Sequence, residues 1–223
     1  MENGSQTFSQ KIILLSSFHK IHGKCNPDEL YKIIEEIQPD VIFEELSYNG
    51  FRIVYSDGYI PRTIEAITIK KYLQKYPIMH FPVDNYPINE FDLLSDAQVF
   101  LENSNEYGEL WNQKLLKLHQ MGYSYINSAD CIETLERINI IEETVLSEIN
   151  NLKLMNEFLK ERELHHNREY EMLRNIYNYS KEYPYNLALF ICGVDHRKPL
   201  KKKIQEYEAI ENLKLNWTFY NEI

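Results

Sequence analysis

Apolar residues along this chain follow two rhythms, one of short unbroken runs and one of helical spacing. Residues 11–17 (KIILLSS) form an apolar run that ends in small polar residues, the mark of a buried strand. Asn26-Pro27-Asp28-Glu29 then reads as a helix start. Asn can cap it, Pro suits the first helical position, and the acids meet the positive end of the helix dipole. Leu30, Ile33, Ile34 and Ile37 follow at helical spacing, and Pro39 closes that helix. Val41-Ile42-Phe43 opens a second buried strand, which runs into Glu44-Glu45-Leu46. A strand, a helix of about ten residues and another strand make a βαβ unit, so the sheet is predicted to be parallel.

The same two rhythms continue. A second helix is predicted over residues 61–75, with Ile64, Ile67 and Tyr72 among its apolar positions, and a third strand over 78–83 stops near Asp84. Residues 95–181 are helical in pattern and carry two glycines, Gly108 and Gly122, and no proline. Residues 187–192 are another fully apolar strand, and 199–208 another helix. Leu213, Leu215, Trp217 and Phe219 alternate with polar residues, the signature of a half-exposed terminal strand. The predicted fold is α/β: a mainly parallel central sheet flanked by helices, with a helical insertion at about 95–183 between the third and fourth strands. No internal repeat or linker divides residues 1–223, which read as a single domain.

Composition narrows the function. The 13% aromatic content excludes a disordered chain. With 24 basic against 34 acidic side chains, the formal charge of −10 repels a phosphate backbone, so nucleic acid is not an expected partner. Cys25, Cys131 and Cys192 form no CxxC pair, which leaves neither a disulfide framework nor a cysteine zinc site. The N-terminus lacks the basic start and apolar stretch of a signal peptide, and no apolar run approaches the roughly 20 residues of a membrane span. A soluble cytoplasmic protein is expected, without a membrane partner; homo-oligomerisation stays open.

Each central strand ends in a polar or ionisable residue: His19, then Glu44-Glu45, Asp84, and Asp195-His196. Ligands of open α/β sheets bind outside the carboxyl ends of the strands. Two imidazoles and two or three carboxylates would therefore share one rim, a set that suits a His/carboxylate site for a divalent metal. The plainer reading is that polar residues follow buried strands because strands emerge at the surface. The strand period of two sends Glu44 and Glu45 to opposite faces, so one of them at most enters such a site. His19 and His22 share a loop, and either could be the inward one. His165, Arg168 and Met172 fall on one face of a helix. Glu163 and His166 form a lone Glu-x-x-His with no second copy, which argues against a di-iron bundle. Lys198, Lys201, Lys202 and Lys203 read as a solvated helix face, and His80 and His119 as structural.

Ser16-Ser17-Phe18-His19, Pro39-Asp40-Val41-Ile42-Phe43-Glu44-Glu45-Leu46, Asp84, Arg168 with Met172, and Gly193-Val194-Asp195-His196 occur in that order along the chain. In this order and at these strand ends, the chain resembles the TraB/pheromone-shutdown and Tiki superfamily, with looser relatives in the erythromycin-esterase and ChaN-like groups. Ser16 stands where that family has Gly, which leaves the loop path, and the choice between His19 and His22, open. The resemblance implies a metal-dependent hydrolase of peptides or small esters. In that reading His19, Glu45 and His196 hold a divalent cation, with Mn, Co or Zn as candidates. Glu44 or Asp84 accepts a proton, and Arg168 either stabilises an oxyanion or pins its helix to Glu45 or Asp84. The alternative is a non-catalytic binding or regulatory protein on the same fold, capturing a peptide or haem. A third class is an interaction module built by the helical segment.

Overall fold

The computed structural model describes residues 10–85 and 97–222. Strand β1 (Lys11–Ser17) lies between β4 (Leu187–Gly193) and β5 (Asn216–Phe219), and β2 (Val41–Ser47) lies between β4 and β3 (Met79–Asp84). All four pairings are parallel and give the order β3-β2-β4-β1-β5. Register aligns Ser17 with Gly193, Glu44 with Ile191 and Ser47 with Asp84, so the carboxyl ends of β1 to β4 form one edge. The chain is therefore an α/β fold on a parallel sheet flanked by helices.

Strand pleating sorts the core into two layers. Ile12, Leu14, Val41, Phe43, Ala188 and Phe190 face one side, and there they meet Met172, Leu173 and Ile176 of α8 (Leu152–Glu182) and Leu200 and Ile204 of α9 (Arg197–Ile210). Leu15, Ile42, Leu189 and Ile191 face the other side, against α1 (Pro27–Ile37) and α3 (Ile64–Lys75), the short α2 (Tyr48–Val54) lying between β2 and α3 in the chain. Helix α1 forms as its sequence signals require. The Asn26 side chain accepts from the backbone N–H of Asp28 and Glu29, and Gln38 ends the helix at a left-handed φ of 50°. Helix α3 starts at Ile64 rather than at residue 61, because Thr63 supplies the cap by accepting from Ala66 N–H. Strand β5 begins at Asn216, later than the alternation suggests. It pairs only with residues 11–14 of β1, and Leu213 and Leu215 are spent on packing before it.

Between β3 and β4 lie α4 (Ala97–Asn103), α5 (Asn105–Met121), α6 (Tyr123–Ile126), α7 (Ala129–Ile149) and α8. Phe100, Tyr107, Leu110, Ile138, Val145, Leu146 and Phe158 give these helices a core of their own. At 31 residues, α8 is about 46 Å long, which is enough to begin in that core and end against the sheet. Arg168 and Glu169 sit on α8 between its contacts with the two cores, beside the carboxyl edge of the strands. Asn127, just past α6, ties the insertion to the sheet: its side chain accepts from Ser16 N–H at 2.8 Å and from the buried Arg197 at 3.0 Å. Among the described residues no helix is long and apolar enough to cross a membrane.

Candidate functional site

Glu45 lies at the centre of the strand edge. Phe43 and Glu45 share a pleat face, so the carboxylate turns toward α8. Its Oε1 accepts from Arg168 Nη2 at 2.6 Å and lies 3.2 Å from His196 Nε2. Its Oε2 accepts from Gly193 N–H at 2.6 Å and lies 3.9 Å from His19 Nε2. Arg168 also grips Asp84, with Nη2 donating at 2.7 Å and Nε at 3.1 Å to Oδ2. A buried carboxylate at the end of β3 thus fixes the guanidinium fork against Glu45.

Both imidazoles are anchored from behind. His196 follows β4 in a short 3-10 turn (Val194–His196), and its Nδ1 lies 2.9 Å from Glu169 Oε1. Glu169 is buried and accepts a second bond from Lys203. His19 leaves β1 at a left-handed φ of 59°, and its Nδ1 lies 2.9 Å from Glu65 Oε1 in the first turn of α3. Each ring therefore has one nitrogen held by an outer carboxylate, and each turns its Nε2 to the same inner carboxylate.

The charges alternate: Glu65, His19, Glu45, His196, Glu169 and Lys203, with Arg168 and Asp84 branching from Glu45. Burial alone would raise the Glu45 pKa, but His196, His19 and Arg168 hold this carboxyl well below its usual range. Burial would lower the pKa of His196, yet Glu45 and Glu169 push it up to about 10. For His19 burial also acts downward, and Glu65 with Glu45 push it up to about 9. Glu65 and Glu169 are lowered despite burial, the former by His19 and the latter by His196 and Lys203. Four carboxyl groups thus stand against four basic side chains in the cluster.

Of the residues singled out in the sequence, His19, Glu45, Asp84, Arg168 and His196 come together. Glu44 does not. It shares the pleat face of Ile42, where its Oε2 accepts from Tyr55 Oη at 2.5 Å and its Oε1 lies 2.6 Å from His80 Nδ1. His22 also stays apart, with Nε2 2.9 Å from the Leu115 carbonyl and its ring edge-on to His119. His165 stacks on His196 with ring centroids 5.2 Å apart. Sequence reasoning missed Glu65, Glu169, the Gly193 N–H and the inward turn of Lys203. The one signal available was the position of Glu169 next to Arg168.

Gly193 forms the floor of the cluster. A Cβ there would stand 2.9 Å from His19 Nε2 and 3.5 Å from Glu45 Oε2. Its φ of −58° suits any residue, so the obstacle is the imidazole and not the backbone. Gly193→Ala is expected to leave the fold within about 1 kcal/mol of wild type, because the half-exposed His19 ring can swing away. Loss of Glu45 and Glu65 as neighbours should return the His19 pKa toward 6.5. Histidine NMR titration checks this, and an unchanged His19 pKa would place the ring elsewhere in solution.

Comparison with protein-family models, with curated proteins and with solved structures gives no match. The likeness to the TraB and Tiki proteins rests on the motifs alone.

Proposed function

We propose that this cluster is the site of a metal-dependent hydrolase of the TraB/Tiki type, acting on a peptide or small ester, with a divalent cation held by His19, Glu45 and His196. The observation that supports it is the anchoring of both imidazoles. Metal-binding histidines characteristically give their second nitrogen to a carboxylate, which fixes the ring and raises its basicity. Glu65 and Glu169 do this for His19 and His196. The charge balance fits too: a dication that displaces one proton from each imidazolium leaves the net charge of the cluster unchanged. Among the described residues no three His, Cys, Asp or Glu side chains stand spaced for a metal ion. Here the Glu45 oxygens are engaged by Arg168, His196 and Gly193, contacts that a cation held by His19, Glu45 and His196 would have to displace.

A cation held by His19, Glu45 and His196 would supply Lewis-acid chemistry, polarising a substrate carbonyl and acidifying a water molecule. The chain's own groups do the rest. Asp84 and Glu45 position Arg168, whose permanent charge faces a developing oxyanion. Glu169 and Glu65 keep the two Nε2 atoms aimed inward.

Metal analysis of the purified protein, followed by titration with Mn, Co and Zn, tests the proposal. About one equivalent is expected to bind wild type, and His196→Ala is expected to lose it. The proposal fails if no metal binds, or if His196→Ala binds as well as wild type.

A further inference from the structure

Among the described residues the Lys and Arg side chains that are buried are Lys203, Arg197 and Lys114. Lys203 has Glu169, and Arg197 has Asn127 Oδ1 and the Tyr220 carbonyl. Lys114 has no carboxylate within 4 Å and no hydrogen-bond acceptor among the described residues. It is 2% exposed and stands on the inner face of α5, at the spacing of the buried Tyr107, Leu110 and Leu118. A buried ammonium without a counter-charge is costly, and interiors rarely hold one unpaired. Two rings face it: its Nζ lies 4.1 Å from the Trp111 centroid and 5.6 Å from that of Phe18. Ring faces offset part of the charge, but they leave three N–H donors without an oxygen acceptor.

A second donor on the same helix face is also unused. The indole N–H of Trp111, one turn before Lys114, is buried and has no acceptor among the described residues. Trp111 belongs to the wall of a cavity of about 890 Å³, which includes Ile132, Leu135 and Val194 and extends to His165, the ring stacked on His196. Phe18 is the residue before His19, so the ammonium also lies next to the loop that carries the other imidazole. Elsewhere on the cavity wall, five carboxyl side chains outnumber three of Lys or Arg. That balance repels a polyanion. It admits a ligand with one negative group, set at Lys114, and a neutral body along the apolar residues.

We infer that Lys114 and the Trp111 N–H anchor a single ligand carboxylate, the free C-terminus of a peptide that lies in this cavity. A carboxylate has lone pairs for both donors and supplies the counter-charge that the fold withholds from Lys114. As a substrate feature this rests on the proposed hydrolase, and it directs that enzyme to the carboxyl end of its peptide. As a binding site it can be measured without metal.

The experiment is calorimetry of chelator-treated, full-length protein with four probes: N-acetyl-Ala-Leu-Ala, its C-terminal amide, acetate and inorganic phosphate. The peptide acid should bind about tenfold tighter than the amide, the worth of one charge-assisted hydrogen bond, and acetate and phosphate should bind more weakly than either. Lys114→Met keeps the stem and removes the charge. It should erase the preference for the acid while holding or raising the urea midpoint, because an unpaired buried charge is gone. If Lys114→Met does not fold, Lys114→Gln should erase the preference in its place. His196→Ala should keep it. Equal binding of acid and amide, or a preference that survives loss of the Lys114 charge, overturns the anchor. So does a Lys114→Met midpoint that falls with the preference intact, since the ammonium would then serve the core alone. Phosphate or acetate bound as tightly as the peptide acid overturns the peptide as its occupant. A preference for the acid without any metal binding would sink the hydrolase instead and leave the carboxylate site standing.

Discussion

Glu45→Gln should lower unfolding stability by about 3–5 kcal/mol, the usual cost of removing one partner from a buried ion pair. Three cations depend on this carboxylate: Arg168, His196 and, more distantly, His19. An amide keeps the shape, and its carbonyl can still accept from Gly193 N–H. Its NH2 group, however, must then face Arg168 or His196, donor against donor. Two effects limit the damage. The imidazoles can shed their protons once the negative charge is gone, and Arg168 keeps Asp84. The loss is therefore expected near the lower end of the range, read from urea unfolding at pH 7 with an unchanged m-value. Metal binding and any hydrolysis should disappear with it. Glu44→Gln is the matched control: it disturbs the Tyr55–Glu44–His80 group on the opposite face and should leave metal binding intact. A Glu45→Gln protein as stable as wild type would mean that the cluster is not formed in solution. Metal lost equally in both variants would remove Glu45 from its place as ligand.

The difference between those neighbouring glutamates was legible in the sequence only as a parity rule. Period-two alternation separates Glu44 from Glu45, but which of them faces α8 depends on where the insertion returns to the sheet. The strands themselves were plain, because Ile12, Leu14, Leu15 and residues 187–192 are apolar on both faces, as a covered parallel sheet demands. The cap of α1 was equally plain, because Asn26 and Pro27 act within a few residues of each other. The anchors of the site were not. Glu65 reads as an ordinary first-turn acid of a helix, and Glu169 is one of many acids in a long polar helix. Lys203 sits in a basic run that looks solvated, yet it is buried with its ammonium on Glu169. These roles come from pairings 34 and 46 residues apart in the chain, which no local pattern encodes. Left-handed backbone at His19, in a loop where Gly would be the easier residue, is likewise a tertiary outcome.

Metal affinity is expected to keep rising with pH far beyond the ordinary imidazole range. From the sequence alone, occupancy should level off above about 6.5, the free imidazole value. The ion-paired cluster moves this window, since His19 is pushed up to about 9 and His196 to about 10. Below pH 9 both rings carry a proton on the nitrogens that a metal would need. Each proton released costs tenfold in affinity per pH unit, so apparent affinity should change about a hundredfold per unit between pH 7 and 9. Calorimetry in two buffers of different ionisation enthalpy should count close to two protons released per metal at pH 7.5. The same shifts set the stability of the metal-free protein. Both folded-state values lie above the unfolded value of about 6.5, so the stabilisation is fully present below pH 6.5 and is lost as pH rises through 9 to 10. The urea midpoint should therefore fall between pH 7 and pH 10.5 in wild type, and fall less in Glu45→Gln, where the shifts are relieved. Release of fewer than one proton per metal, together with a midpoint indifferent to alkaline pH, would mean that the imidazoles are neutral in the folded protein, and the charge-neutral exchange proposed for the site would fail with them.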